Sequence, residues 1–265
     1  LFSVNNISLD RKDNISSNQL ANQAIEKAFN ELIKRILLKE DIQKLSNLNF
    51  LNIRELVTYY NISKNSEKEI NKVNFSVTFD KDKIHNLLFK RGILYSDITD
   101  KEFFILPILL RKNEIFIFSN NIFYDNWNKI EKDELVEFIL PLENIEIIQN
   151  ITRYKNNLLE LEINSLFREY EKKNAAIILI EESDKKEEKV YLKARIEEKI
   201  ISKSFKIKKK NFDKKKFNEN IIFEIKNEII NLVKSQNLID ISTPSFLNVK
   251  LNLDKKNNLV QLNSR

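Results

Sequence analysis

The longest uninterrupted apolar run in the chain is Phe103–Leu110, which reads Phe-Phe-Ile-Leu-Pro-Ile-Leu-Leu. A bilayer-spanning helix takes about 20 apolar residues, so this run is far too short to cross a membrane. The run lacks the in/out alternation of a half-buried strand. It therefore predicts a strand buried on both faces, as in a parallel sheet covered by helices. Pro107 has no N–H, so it should lie at a bulge or where the neighbouring strand requires no donor.

Periodic apolar residues and local capping signals predict the helices. Ser16 and Gln19 form a capping box before a long run of apolar residues at helical spacing. Asp80 is expected to cap a second helix, which Gly92, the single glycine of the chain, ends. Helical spacing predicts four further helices: Ile53–Tyr60, a short one from Ile145, Leu159–Tyr170 and Ile221–Val233.

Alternating or continuous apolar runs predict the remaining strands. They are Val73–Phe79, Glu114–Phe118, Ala175–Ile180, Val190–Ile196 and Ile201–Ile207. Together with the helices, this order predicts an α/β fold of the α+β type, with two small mixed-sheet sandwiches in tandem. We place the first unit at residues 1–97 and the second at 98–241. The tail 242–265 alternates at Val249, Leu251 and Leu253 and is expected to begin a partial third unit.

The amino-acid composition bears on the cellular compartment in which the protein acts. The 265 residues include no Met and no Cys, and 45 basic residues against 39 acidic ones give a net charge of +6. The missing Met leads us to expect a processed, exported protein whose signal peptide has been removed. The absence of Cys excludes disulfides, thiolate metal sites and Cys nucleophiles. The modest positive charge does not by itself imply nucleic-acid binding.

Several stretches, taken in order, resemble a known family. They are Phe2-Ser-Val, Val73–Asp80, Ile105-Leu-Pro-Ile, Asn126-Trp127 and Asn174–Ile180. This order is similar to that of the exported Gram-negative family called domain of unknown function 2066. The resemblance implies export and supplies no catalytic residues. The family usually has Gly near the position of Asn174, and we expect Asn174 to adopt the left-handed conformation in its place.

The second unit is also similar in fold to the amino-terminal domains of TolB and to lipoprotein activators of cell-wall synthases. That similarity favours binding over catalysis, although a fold does not fix a function.

The sequence offers little for catalysis. Phosphate-binding loops and the nucleophile elbow need several glycines, and the chain has one. His85, the only His, is expected at a packed helix edge rather than as a general base. The clustered carboxylates Glu181, Glu182, Asp184, Glu187 and Glu188 alternate with lysines and are expected in a solvated hairpin loop. We therefore predict no catalytic residue, no metal site and no cofactor.

Lys203–Lys216 is the densest basic stretch. Its candidate contacts to an anionic surface are Lys206, Lys208, Lys209, Lys210, Lys214, Lys215 and Lys216, interleaved with Phe205, Phe212 and Phe217. Lysines with aromatics can bind single-stranded nucleic acid through phosphates and stacking. The interpretation we favour is a strand end and a helix lead-in with solvated lysines. In an exported protein, an anionic membrane surface is the expected counter-charge.

Phe123, Tyr124 and Trp127 form the third candidate cluster, because Trp and Tyr often anchor interfaces. The alternative is that these rings close the end of a sheet.

These observations predict a non-enzymatic periplasmic protein that acts by binding another component of the cell envelope, most simply another envelope protein. A nucleic-acid-binding protein using Lys203–Lys216 is the alternative, and a hydrolase using scattered carboxylates is a weaker third.

Overall fold

The computed structural model describes residues 1–11, 15–64, 72–98, 101–130, 135–182, 187–209 and 213–240, and it confirms the α/β class of α+β type. The described strands are β1 (Ser3–Asp10), β2 (Val57–Lys64), β3 (Lys72–Phe79), β4 (Tyr95–Ser96), β5 (Lys101–Arg111), β6 (Glu114–Phe116), β7 (Val136–Ile139), β8 (Asn174–Glu181), β9 (Glu187–Ile196), β10 (Lys199–Lys208) and β11 (Leu238–Ile239). The described α-helices are α1 (Ser17–Ile36), α2 (Phe50–Glu55), α3 (Lys81–Lys90), α4 (Ile122–Asn126), α5 (Ile145–Arg153), α6 (Ile163–Leu166) and α7 (Lys214–Gln236). Short 3-10 turns lie at Ile42–Leu45, Trp127–Lys129, Leu158–Glu160 and Arg168–Tyr170.

The first sheet is antiparallel in the order β1-β3-β2. Phe75, Val77 and Phe79 of β3 are buried with Val4 and Ile7 of β1, and the apolar side of α1 belongs to the same cluster. The opposite face of β3 carries polar residues, which the alternation of Val73–Phe79 predicted.

The predicted start of α1 and the predicted start and end of α3 are confirmed. Ser16 and Gln19 form the reciprocal capping box at the start of α1. Asp80 accepts hydrogen bonds from the backbone N–H groups of Asp82 and Lys83 at the start of α3. Gly92 follows this helix with φ +60°, the left-handed conformation that favours glycine after a helix end.

The expected helix Ile53–Tyr60 is wrong over its second half. Helix α2 ends at Glu55, and Val57 begins the edge strand β2. Val57, Thr58, Tyr59 and Tyr60 are β-branched or aromatic residues, which pack well on a pleated surface and lose rotamer freedom in a helix. Pairing of these residues with β3 stabilises the strand over the helix.

The second sheet has the order β10-β9-β8-β5-β6, with β7 also paired to β5. Strands β5 and β8 are parallel along their length, from Phe103 opposite Asn174 to Leu110 opposite Glu181. Both are buried on both faces, so the prediction from the two continuous apolar runs is confirmed. Strands β9 and β10 complete an antiparallel hairpin beside β8.

The outer edge of β5 is shared by two strands. Strand β7 pairs with residues 101–104 and β6 pairs with residues 109–111. Pro107 lies in the gap between them, where its missing N–H is not required, as predicted. The Asn121 amide fills the gap by donating to the carbonyl of Pro107 at 2.8 Å.

Helices cover both faces of this sheet. On one face α4 and α7 pack over one set of inward side chains, and on the other face α5, α6 and the two 3-10 turns beside α6 pack over the second set. The predicted continuous helix Leu159–Tyr170 is wrong, because the chain there breaks into the turn Leu158–Glu160, the short helix α6 and the turn Arg168–Tyr170. The side chains of Ile163, Leu166 and Phe167 in these pieces are buried in the core of this face.

The expectation of a left-handed Asn174 is also wrong. Asn174 begins strand β8, and its side-chain oxygen accepts from the backbone N–H of Glu197 at 3.1 Å. The left-handed residues of this region are Glu197 and Glu198, which form the turn between β9 and β10.

Helix α7 joins the two sheets. The Lys234 ammonium, buried in this contact, donates to the carbonyls of Lys34 and Leu37 at the end of α1. The side chain of Asn231 accepts from the backbone N–H of Lys39 at 3.0 Å, and β11 pairs with β4. The division into units 1–97 and 98–241 stays a prediction, and the tail 242–265 lies outside the described residues.

Candidate functional site

The basic stretch lies at one end of the second sheet. Strands β5 and β8 end there at Arg111 and Glu181, β10 ends at Lys208, and α7 begins at Lys214. Parallel strands place their carboxyl ends at the same edge, and ligands of α/β proteins often bind outside that edge. The basic residues therefore gather at an end of the sheet that is a common place for a binding site.

Three of the predicted lysines or their neighbours form ion pairs. Lys203 contacts Glu228 at 2.5 Å, Lys206 contacts Glu187 at 2.5 Å, and Lys214 contacts Glu182 at 2.9 Å. The ammonium of Lys209 lies over the ring of Phe217 at 5.6 Å. Lys208, Lys215 and Lys216 are exposed, and Lys210 lies outside the described residues.

The aromatic residues of the stretch face the core. Phe217 is buried and Phe205 is partly buried against the same core cluster, whereas Phe212 lies outside the described residues. Base stacking needs an open ring face. Phe205 and Phe217 therefore fit the strand-end interpretation, in which aromatic rings point inward and lysines point to water.

Three basic residues outside this stretch lie close to it in the folded chain, and none of them belongs to a predicted site. Arg111 at the end of β5, Lys112 in the following turn and Lys155 after α5 line the same cleft as Lys214. They are separated by up to about a hundred residues along the chain, and they meet because β5 pairs with β8 and the segment after α5 packs on the same sheet. No sequence motif signals this convergence.

Glu182 organises the centre of this cleft. It accepts from Arg111 Nε and from Lys214 Nζ. Partial burial acts to raise the pKa of Glu182, but the hydrogen bonds and charges of Lys214 and Arg111 outweigh it and hold that pKa below its usual value. Glu182 is therefore an ionised anchor that fixes two cations at the cleft.

The three aromatic residues predicted as an interface do not form an exposed surface. Trp127 has no exposed area and Phe123 has 3% of its area exposed, both within the core between β5 and α7. Tyr124 is half-buried and donates to the carbonyl of Pro141 at 2.8 Å. The expected interface of Phe123, Tyr124 and Trp127 is corrected accordingly, because Phe123 and Trp127 are buried in the core and cannot contact a partner.

His85 lies at a packed edge, as expected. Its ring contacts the rings of Phe2 and Tyr95 with centroids 5.5 and 5.0 Å away. Burial, with a smaller contribution from Lys81, lowers the pKa of His85 below 6.5 against the opposing charges of Asp82 and Asp97. The ring is thus held neutral between two aromatic residues.

The lowered pKa predicts a pH-dependent stability. The unfolded state binds the proton first as the pH falls through 6.5, so the free energy of unfolding should decrease from pH 7.5 to pH 5.5. A His85→Phe variant keeps the ring packing and should show a flatter profile over this interval. Urea unfolding at a series of pH values measures both slopes, and equal slopes would contradict the assignment.

Among the described residues, no group of three or more His, Asp or Glu side chains is arranged to hold a metal ion. Within the same residues, no helix is long and apolar enough to cross a membrane.

The exposed edge of strand β2 is a second candidate binding surface. The predicted helix Ile53–Tyr60 gave no indication of it. Tyr59, Tyr60 and Ile62 are 53%, 41% and 52% exposed, and no described strand pairs with the outer edge of β2. Tyr60 and Ile62 lie opposite Val77 and Phe75 of β3, whereas Tyr59 lies opposite Thr78 on the other face. Apolar side chains are therefore exposed on both faces of one edge strand.

Comparisons of the chain with protein-family models, with curated proteins and with solved structures give no match. The resemblance to the family called domain of unknown function 2066 stays a prediction, and function has to be argued from the surfaces themselves.

Proposed function

We propose that this chain is a non-enzymatic, exported protein of the cell envelope that acts by binding another envelope protein. The observation that carries the proposal is the open edge of β2 with its exposed Tyr59, Tyr60 and Ile62. Exposed apolar clusters on a soluble domain mark interaction sites more often than isolated apolar residues do. The family resemblance supports the exported, envelope part of the proposal.

Three long strands lie at sheet edges, β1, β2 and β10. On β1 the carbonyls of Ser3 and Ser8 accept from Arg35 and Lys27 of α1. Strands β10 and β2 differ in charge, which supports a role for β2. Strand β10 carries Lys199, Lys203, Lys206 and Lys208, the kind of charged edge that blocks unwanted strand pairing. Strand β2 has no charged residue from Val57 to Ser63. An uncharged edge that is left open is suited to accept a strand.

The mode of binding that fits is strand addition. An extended segment of a partner would pair its backbone with the outer edge of β2 and lay alternate side chains against the two faces. Tyr60 and Ile62 would contact one side of that segment, and Tyr59 the other. Backbone pairing supplies affinity, and these three side chains supply selectivity.

Substitution at Ile62 tests the proposal. An Ile62→Lys variant places a charge on the open edge and should reduce partner crosslinking in intact cells at least tenfold. Ile200→Lys is the matched control, because Ile200 is 55% exposed on the edge strand β10. Both positions are exposed, so both variants should unfold within about 0.5 kcal/mol of the parent protein.

A photo-reactive residue at position 60 identifies the partner by mass spectrometry. We expect one envelope protein, lost in Ile62→Lys and retained in Ile200→Lys, and recovery of the chain in the periplasmic fraction. Crosslinks only to a second copy of this chain, or equal crosslinking by both variants, would refute partner binding at β2. Recovery with cytoplasmic proteins would refute the envelope assignment.

A further inference from the structure

A polar cleft of about 810 Å³ opens where β5 and β8 end. The turn Lys112–Asn113, the residues Lys155 and Asn156 after α5, and the ends of both strands form its walls. Its volume is within the range of small-molecule sites. Its position outside the carboxyl ends of parallel strands is a common one for a ligand.

The charges of the cleft favour an anion. Glu182 holds Arg111 and Lys214, and the other carboxylate that lines the cleft, Glu181, lies 3.6 Å from the ammonium of Lys189. Lys112 and Lys155 form no ion pair with any described residue. Helix α7 begins beside the cleft at Lys214, and the carboxylate of Asp213 caps this helix end by accepting from the N–H of Lys216. Among the described residues, Lys112 and Lys155 are thus two cations of the cleft without an ion-pair partner, beside two cations that Glu182 holds in place.

An apolar groove continues from this cleft. It measures about 290 Å³ and is lined by Leu158, Leu159, Leu161, Ile177, Leu179 and Tyr191 among others. Leu158 lines both the cleft and the groove. Leu179 in the groove and Glu181 in the cleft are two positions apart on the same face of β8, so about 7 Å of strand separates them.

We infer that the cleft and the groove form one site for a single-chain anionic amphiphile, a lipid-like molecule with a phosphate monoester head. The head lies between Lys112 and Lys155, and the alkyl chain lies along Leu158 and Leu179. A phosphate monoester carries nearly two charges at pH 7, which matches the two unpaired ammonium groups. This site lies on the second sheet and does not depend on strand β2.

Titration of the full chain with dodecyl phosphate, below its micelle concentration, tests the site by calorimetry. We expect saturable binding of one molecule, weakened at least tenfold for dodecyl maltoside, for inorganic phosphate and for laurate. Removing two methylenes from the dodecyl phosphate chain should lower affinity about tenfold, since each buried methylene contributes about 0.8 kcal/mol. Raising the salt concentration should weaken binding further.

Two site variants, each with a matched control variant, distinguish binding at this site from nonspecific adsorption to the protein surface. Lys112→Gln with Lys155→Gln should weaken dodecyl phosphate at least tenfold, whereas Lys90→Gln with Lys172→Gln removes the same charge from exposed positions elsewhere and should leave affinity unchanged. Leu159→Asn should weaken binding about threefold to tenfold. Leu142→Asn, at a position 86% exposed and outside the groove, should not.

Each alternative outcome overturns the inference. Equal affinity for dodecyl maltoside indicates an apolar surface only, and equal affinity for inorganic phosphate indicates an anion site without the groove. Laurate that binds as tightly as dodecyl phosphate excludes selectivity for the phosphate head. Losses of equal size in the site variants and in their controls exclude the site altogether.

Discussion

An Arg195→Met variant should unfold with a free energy about 3 kcal/mol or more below that of the parent protein. Arg195 alternates with apolar residues of β9 in the sequence, yet it is only 5% exposed. Its guanidinium donates to the carbonyl of Tyr170 at 2.7 Å, to the carbonyl of Lys173 at 3.0 Å and to the side chain of Asn164. Removing the guanidinium breaks these charge-assisted hydrogen bonds in a partly buried site, and a hydrogen bond to a charged group contributes about 1.5–3 kcal/mol.

The physical role of Arg195 is to hold the irregular segment 163–173 on the sheet. This segment has only a one-turn helix and a 3-10 turn, so few of its backbone groups are satisfied within it. Burial lowers the pKa of Arg195 against the charge of Glu171, but a guanidinium remains charged under all ordinary conditions. The cation therefore replaces hydrogen bonds that a regular helix would make internally.

Arg195→Lys and Arg153→Met are the controls. Lysine keeps the charge but has one nitrogen in place of the planar fork, so it should recover less than half of the loss. Arg153 is exposed in the last turn of α5, and its substitution should change the free energy of unfolding by less than about 0.5 kcal/mol. Urea unfolding measures all three variants, and a loss below 1 kcal/mol for Arg195→Met would contradict this account.

Arg195 also shows where sequence reasoning reaches its limit. The period of two in Val190–Ile196 correctly predicted a strand with one apolar face. That period assigns Arg195 to the face away from α7, which is correct, but it cannot show that α6 and its flanking turns cover that face. Residues 163–173 bury the second face, and their apolar spacing predicts one continuous helix where the structure has a one-turn helix and a 3-10 turn.

Features specified by residues close in sequence were predicted better than features that depend on residues far apart in sequence. The Ser16 capping box, the Asp80 cap and the Gly92 end involve residues within a few positions of each other, so the sequence alone specifies them. The cleft, by contrast, needs Lys112 and Lys155 beside Lys214, and these residues meet only through the packing of β5, α5 and α7 in the tertiary structure. The open edge of β2 was hidden because Val57–Tyr60 has apolar residues that fit a helix period as well as a strand.

An Asn121→Asp variant should be destabilised by about 3 kcal/mol or more at pH 8, and less at pH 5. Asn121 has no exposed area, and its amide nitrogen lies 2.8, 3.1 and 2.7 Å from the carbonyl oxygens of Pro107, Phe116 and Ile117. Its oxygen accepts from the backbone N–H groups of Phe123 and Tyr124 and so begins α4. One side chain thereby closes the gap in the edge of β5 and starts the next helix.

Aspartate retains the acceptor of Asn121 but turns both donors into a second acceptor. A buried carboxylate facing three carbonyl oxygens is strongly disfavoured, so the pKa of the introduced group should be raised above 3.9. The folded state then binds a proton that the unfolded state has already released, and stability falls as the pH rises. Asn120→Asp is the matched control, because Asn120 is the exposed neighbour with φ +58°, a conformation that Asp also tolerates. The two variants are compared by urea unfolding at pH 5 and pH 8. A difference between the two pH values that is the same in both variants would show that the Asn121 amide is not what closes the gap beside Pro107.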